Sequence, residues 1–356
     1  MTERGQQTDK LTEPHFTVIS APDIESIISG QEKRIVDVVE NTYIQHASGG
    51  SVNPPSYFLR FPEQPGDRII ALPSSLGGDD GLHGIKWVSS FPDNVPGGIS
   101  RASAALILND RRTGYPFACL EGSVISANRT AASAALAVLR IRSGQRPPRT
   151  AGFLGTGPIA RSVHRYLRAV GIRLERLSIH DTVPERSAAF RRHLVSSGVP
   201  GPDVHIASGA EDVIRSSDLV ILATTAAEPH IESPAWFSHN PLVLNISLRD
   251  LSPAVILSAV NIVDDVDHCL RERTSPHLTE LEQGNRDFVD GTIADVIGGR
   301  CEFASDKPVV FSPFGLGVLD LALGRYVHDQ ARFQGTARVI DGFHPSARGD
   351  GNGQGN

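Results

Sequence analysis

The stretch FLGTGPIA at positions 153–160 constrains the fold of this chain more than any other segment. An apolar run leads into two glycines and an alanine in the pattern G-x-G-x-x-A, and helical spacing follows. Gly155 permits a sharp turn out of a strand, Gly157 lets backbone approach a pyrophosphate, and Ala160 lets the helix lie close to the sheet. The N–H groups beside Pro158, notably that of Ile159, face outward at a helix N-terminus, where the dipole favours phosphate. Ile159, Val163, Tyr166, Leu167 and Val170 form one apolar stripe, and Gly171 ends the helix. The next strand closes on Asp181, near the ~20-residue offset of a carboxylate that holds an adenosine ribose. A carboxylate there accepts bonds from ribose hydroxyls and repels a 2′-phosphate, which favours NAD over NADP. Alone, such a glycine pattern is often a plain strand–helix turn. Strand, turn, helix, strand and terminal acid in order point to a dinucleotide cradle.

The surrounding pattern supports that reading. TAGFL, RLSIHD, DVHIAS, DLVILATT, PLVLNIS and NIVDD read as strands with helical patterns between most of them, which predicts a doubly wound parallel α/β sheet. Upstream, YFLRF, RIIALP, GIKWVSS, SAALILND and YPFACLE are short β-like runs cut by turns, with NDRRTGYP as a hairpin turn. An antiparallel α+β region is expected there. Before it, Ile24, Ile27 and Ile28 share one helical face, and Ile35, Val36, Val39 and Tyr43 share another after Gly30. Residues 127–143 form a strong helix, which places Arg129 at its start, and GQRPPRT stops it. The run after Pro308 reads as a helix returning to the first region. Residues 1–14 and the polar tail 344–356 bury too little apolar surface to order and are expected to be flexible.

A net charge of −6 argues against nucleic-acid binding. No segment approaches the ~20 apolar residues that span a bilayer. Three well-separated cysteines and a polar first twenty residues suit a cytoplasmic protein. Thirteen histidines show no metal-ligand spacing, and no nucleophile elbow is present, so no metal site is expected.

Four charged residues stand in or beside apolar segments, where charge is costly unless paired or used. They are Arg60 in YFLRF, Lys86 in GIKWVSS, Arg129 in SANRTAAS and Asp250 in NISLRDLSP. Each alone is more often a structural ion pair than a catalytic group. At a helix start Arg129 would oppose the helix dipole, so something else must justify it. Asp264 and Asp265 end a strand, where such residues often face a cofactor crevice.

With RIIALPSSLGG, GIKWVSSFPDN, RASAALILND, NRTAAS, GTGPIA, NISLRD, IVDD and FGLGVLDL in order, the chain resembles the ornithine cyclodeaminase/μ-crystallin family. The likeness is greatest to a branch of dehydrogenases that serve 2,3-diaminopropionate biosynthesis. That resemblance implies a Rossmann-type NAD-binding domain, 129–308, inserted into a substrate-binding and dimerising α+β domain made of 15–128 and 309–343. It implies that Lys86 and Arg129, with Arg60 as a third cation, hold substrate carboxylate. Asp250 would manage water and protons, and Lys86 would assist. Thr130, Thr224 and the stretch Ile246, Ser247 and Leu248 match cofactor-lining segments. Arg101 departs from the cyclodeaminases, which carry a smaller polar residue, and matches the diaminopropionate branch. A small amino acid with several carboxylates is the substrate so implied: an N-substituted glutamate split by NAD-dependent oxidation and hydrolysis into 2,3-diaminopropionate and 2-oxoglutarate, for siderophore or peptide-antibiotic synthesis. A homodimer is implied too. Ornithine cyclodeamination, a related amino-acid or imine dehydrogenase, and non-catalytic dinucleotide or hormone binding remain open alternatives.

Overall fold

The computed structural model describes residues 15–78, 81–196, 202–301, 303 and 306–345. The flexible N-terminus expected at 1–14 and all but two residues of the expected flexible tail lie outside them. Of those two, His344 bonds to the Pro116 carbonyl at 2.9 Å and packs edge-on against Tyr115.

The chain opens with β1 (Phe16–Ile19), α1 (Ala21–Ile28) and α2 (Glu32–Ala47), followed by β2 (Ser51–Val52), β3 (Tyr57–Phe61), β4 (Gln64–Leu76), β5 (Leu82–Ser90), β6 (Ala102–Asp110) and β7 (Pro116–Glu121). Helix α3 (Gly122–Ile141) leads to β8 (Thr150–Leu154), α4 (Pro158–Ala169), β9 (Arg176–His180), α5 (Pro184–Ser196), β10 (Asp203–Ile206), α6 (Ala210–Arg215), β11 (Leu219–Leu222) and β12 (Leu242–Asn245). The remainder comprises α7 (Pro253–Leu257), β13 (Val260–Val263), α8 (Val266–Cys269), α9 (Ser275–Gln283), β14 (Gly291–Thr292), α10 (Ile293–Ile297), β15 (Val309–Ser312), α11 (Gly317–Gln334) and β16 (Arg338–Ile340).

Two sheets result. The first runs β16-β1-β7-β6-β5-β4-β2, with β3 also on β4, and is antiparallel except where β1 meets β7. The second is parallel throughout, in the order β10-β9-β8-β11-β12-β15-β13-β14. Its strand order reverses between β8 and β11, so the glycine turn after β8 stands at the switch point where doubly wound sheets take ligands. The α/β expectation holds, and six of the eight parallel strands among the described residues fall where the sequence put them.

Three boundaries differ from expectation. Strand β15 is the central partner of β12 and β13, so 309–312 belong to the parallel sheet and the return to the first sheet begins with α11. The cause is composition: VVFS is fully buried on both faces, and a short apolar run carries no periodicity to separate strand from helix. Helix α3 starts at Gly122, five residues before the expected start, because the Glu121 carboxylate caps it by accepting from Ser123 and Val124 N–H. Arg129 is therefore two turns inside the helix, beyond the reach of the N-terminal dipole. The division at 128/129 also falls within this one buried helix, whose Ala131, Ala132, Ala134, Ala135 and Ala137 are completely buried.

Helix α11 lies across the inner face of the first sheet. A Cβ on Gly84 would strike Leu321, one on Gly317 would meet Ser74, and one on Gly324 would strike Leu106. No helix among the described residues is long and apolar enough to cross a membrane.

Candidate active site

The glycine turn has the geometry of a phosphate cradle. Gly155 adopts φ +82°, and a Cβ there would overlap the Ala223 carbonyl. Gly157 caps α4 in extended backbone; a Cβ there would meet nothing within 4 Å, so the space beyond it is open. No side chain caps α4, which leaves the first-turn N–H groups beside Pro158 and Ile159 available to an anion. Ala160 is fully buried against the sheet. Asp181, just after β9, closes the turn: its Oδ2 accepts from Thr156 N at 2.9 Å and Thr156 Oγ1 at 3.0 Å, and its Oδ1 accepts from Val183 N. The open space at Gly157, the uncapped α4 N-terminus and the Asp181 carboxylate fit a dinucleotide, which they would hold.

A buried charge cluster lies where α3 and α11 meet the first sheet. Lys86 Nζ donates to Asp320 Oδ2 at 2.7 Å and to Ser126 Oγ at 3.1 Å, while Arg129 Nε donates to Asp320 Oδ1 at 3.2 Å. Lys86 is 3% exposed, Arg129 8% and Asp320 not at all. Burial pushes the Lys86 ammonium down to about 8; Asp320 opposes that shift and Arg129 adds to it. Two cations share one carboxylate, and the surplus positive charge calls for an anion. Gly315, at φ +96°, makes room for Arg129, since a Cβ there would lie 2.5 Å from Nη1. The Gly315 N–H donates to Asp264 Oδ2 at 2.6 Å, which ties this cluster to the carboxyl end of β13. Thr130, the next residue on α3, bonds back to the Ser126 carbonyl.

A second group surrounds Asp250. Its carboxylate is fully buried. Oδ1 accepts the Thr224 hydroxyl proton and lies 2.7 Å from His230 Nε2; Oδ2 has no partner among the described residues. The loop before it is strained: Leu248 holds φ +76°, uncommon for a branched residue, and its carbonyl accepts from Ser275 N at 2.7 Å. Ile246 packs against the core, and the Ser247 hydroxyl is buried without a partner among the described residues.

Arg60 and Arg101 sit apart from Lys86, in a third group. Strand register sets Arg60 opposite Arg68 and Arg68 opposite Ser90, all on the face that carries Lys86. Arg101 Nη1 donates to Ser90 Oγ at 2.8 Å. Arg60 pairs with Glu272 at 2.6 Å, and Arg249, the neighbour of Asp250, donates to the Glu272 carbonyl at 3.0 Å. Burial, then the Arg101, Arg249 and Arg60 charges, lower the Arg68 pKa. Arg60, Arg101 and Arg249 thus gather around Arg68 where the Asp250 loop meets the far end of β4 and β5, with the Glu272 carboxylate paired to Arg60. A cavity of about 270 Å³ adjoins them, lined by Phe58, His268, Glu272 and Phe314 among others. A larger recess of about 930 Å³ lies along the opposite edge of the parallel sheet, beside Arg149, Arg176 and Asp203 at the strands' amino ends, away from the glycine turn.

Sequence reasoning missed Asp320, Arg68, Arg249, Glu272 and His230. Arg68 and Arg249 had a usable signal, each standing among apolar residues in DRIIAL and ISLRDL.

The sequence profile of the ornithine cyclodeaminase/mu-crystallin family matches residues 17–335. The chain is 26% identical over 333 residues to N-((2S)-2-amino-2-carboxyethyl)-L-glutamate dehydrogenase of Staphylococcus aureus, covering 91% of this chain and 97% of that one. It is 25% identical to the alanine dehydrogenase of Archaeoglobus fulgidus, covering 92% and 98%. Its fold superposes with a TM-score of 0.83 on Thermococcus litoralis Delta(1)-pyrroline-2-carboxylate reductase, solved with NADH and L-proline, at 22% identity over 91% of this chain and all of that one. An archaeal alanine dehydrogenase dimer with bound NAD gives a TM-score of 0.81 at 23% identity, covering 92% and 100%. By the span of that profile match, this chain belongs to the ornithine cyclodeaminase/mu-crystallin family.

Proposed function

We propose that the protein is an NAD-dependent oxidoreductase that splits N-(2-amino-2-carboxyethyl)-L-glutamate into 2,3-diaminopropionate and 2-oxoglutarate. One observation carries the choice of substrate. The Lys86 cluster and the Arg68 cluster lie on one face of adjacent strands, four residues apart on β5, which is about 13 Å at ~3.3 Å per residue. A substrate with one carboxylate satisfies only one of them. An amine with carboxylates at both ends satisfies both.

The cofactor would lie over Gly155, Gly157, Pro158, Ile159 and Ala160, with Asp181 at its adenosine ribose and Thr130, Thr224, Ile246, Ser247 and Leu248 along the rest. When bound, NAD supplies a hydride acceptor for the substrate's α-carbon. Everything else falls to the protein. Lys86 and Arg129 hold the carboxylate beside the reacting carbon through charge-assisted bonds, and burial strengthens that hold. Arg60, Arg68, Arg101 and Arg249 take the distal carboxylates and fix the orientation. Asp250, with Oδ2 free, takes a proton from the water that adds to the imine carbon, and the resulting carbinolamine collapses to ketone and amine. Lys86, brought near neutrality by burial, can return a proton to the departing nitrogen.

The outer face of the first sheet supports a homodimer. Tyr57 (70% exposed), Leu59 and Trp87 stand out there among Ile69, Ala71, Ile85, Ala105 and Ile107, and no helix among the described residues covers them. A contiguous apolar face of this kind marks an interface.

The test is to incubate the purified protein with NAD and the glutamate conjugate, alanine, proline or ornithine in turn. NADH and 2-oxoglutarate formed from the conjugate alone are expected. Proline and ammonia from ornithine, without net NADH, would show a cyclodeaminase instead. Turnover of none would favour a binding protein.

A further inference from the structure

Asp250 has no contact with bulk solvent of its own. The carboxylate is sealed in the protein, and its two side-chain partners among the described residues are Thr224 and His230. Thr224 is no exit: its hydroxyl proton points at Asp250, and its oxygen already accepts from Ala226 N at 3.1 Å. His230 differs. Its side chain is 42% exposed, and nothing among the described residues bonds to Nδ1. One imidazole therefore spans the distance from a sealed carboxylate to solvent.

Backbone holds it there. The N–H groups of His230 and Ile231 both donate to the Asp250 carbonyl at 3.0 Å, and Ser252 N donates to the Ile231 carbonyl at 3.0 Å. Ile231 and Leu251 form a short parallel bridge between the two segments. The histidine and the aspartate are thus fixed to one another rather than meeting by chance of rotamer.

We propose that His230 is a positioning residue that acts through Asp250, orienting the carboxylate with Nε2 and passing its proton to bulk water from Nδ1. The proposal rests on the dehydrogenase reading above, and it follows from the balance of that reaction. A substituted ammonium, one water and NAD⁺ yield a keto acid, a primary ammonium, NADH and one proton. The α C–H and C–N bonds break, and the water oxygen becomes the new carbonyl oxygen. Both water protons end on the departing ammonium, one by way of Asp250 and Lys86. The proton released is the one the substrate ammonium loses before hydride transfer. Asp250, as the buried base, takes that proton too and must lose it before the next cycle. An imidazole has two ring nitrogens, so it can take that proton at Nε2 and release one to solvent from Nδ1 in each turnover.

The experiment compares wild type, His230→Asn and His230→Ala, assayed with the amine that wild type oxidises, in weak buffer and with added imidazole. Asparagine keeps a donor for the carboxylate but carries no proton; alanine leaves room for an added imidazole. The expected result is a kcat about 10-fold or more lower for both variants in weak buffer, with little change in KM. Imidazole should restore most of the loss in His230→Ala and leave wild type unaffected. Variants as fast as wild type would overturn the relay and leave the dehydrogenase reading intact. So would a loss that no buffer repairs, which would make His230 only a structural pin. A wild type that oxidises no amine would remove both.

Discussion

Lys86, Asp320 and Arg129 hold two positive charges against one negative, and the surplus sets a pH response. With Lys86 pushed down to about 8, its ammonium is present below that pH and is lost above it. Above it, Arg129 and Asp320 offset one another and the attraction for a carboxylate falls. The KM for substrate should therefore rise as pH increases through about 8, with cofactor affinity unchanged; a KM flat from about pH 7 to about pH 9 would refute it. The effect on stability has the opposite sign. Because the folded pKa lies below the unfolded value, the unfolded chain binds more protons between the two. The cost of burying Lys86 is then greatest below about 8 and shrinks as pH rises from there towards 10.5. Lys86 and Arg129 were legible because a charge inside an apolar run is anomalous. Asp320 was not: in GVLDLALG it looks like an acid placed for the dipole in a first helical turn, and only the fold brings it to two cations from distant segments. His230 was equally hidden, since a histidine in an exposed loop carries no local signal of the carboxylate twenty residues away.

At the level of elements, the two glycines of the β8–α4 turn make separable demands. Gly155→Ala would force a side chain into left-handed backbone and against the Ala223 carbonyl, and should cost about 2 kcal/mol or more of folding stability, read from denaturant unfolding. Gly157→Val sits in ordinary extended backbone with open space ahead, so its unfolding midpoint should match wild type while NAD binds about tenfold or more weakly by calorimetry. Equal NAD affinity in Gly157→Val would move the cofactor off this turn. Most elements were readable because their periodicity is local: the stripe of α4, the isoleucines of α1 and the alternating β–α pattern. The failures share a cause. β15 is buried on both faces and has no alternation to read, while β1 and β16 are four and three residues long and exist through pairing with each other. The early start of α3 depends on a Glu121 cap that helix propensity alone does not register.

On the whole-molecule level, the first sheet is covered by helices on one face and bare on the other. Trp87, 44% exposed on the bare face, follows Lys86 on β5 and points to the opposite side of the sheet. Trp87→Glu should convert a dimer to a monomer in sedimentation, because a carboxylate facing its own symmetry mate in an apolar contact finds no partner. A wild-type monomer, or a variant that stays dimeric, would exclude this face as the contact. The placement of Lys86 and Arg68 on hydrogen-bonded strands has a further consequence for how the reach of the site can evolve. Positions facing the same way on a strand recur every second residue, so the gap between anchors can change only in steps of about 6.6 Å, and a one-residue slip turns an anchor to the opposite side. On the proposed reading, with a ligand held at both strand positions, selectivity for ligand length would therefore change in discrete steps along the strand rather than continuously.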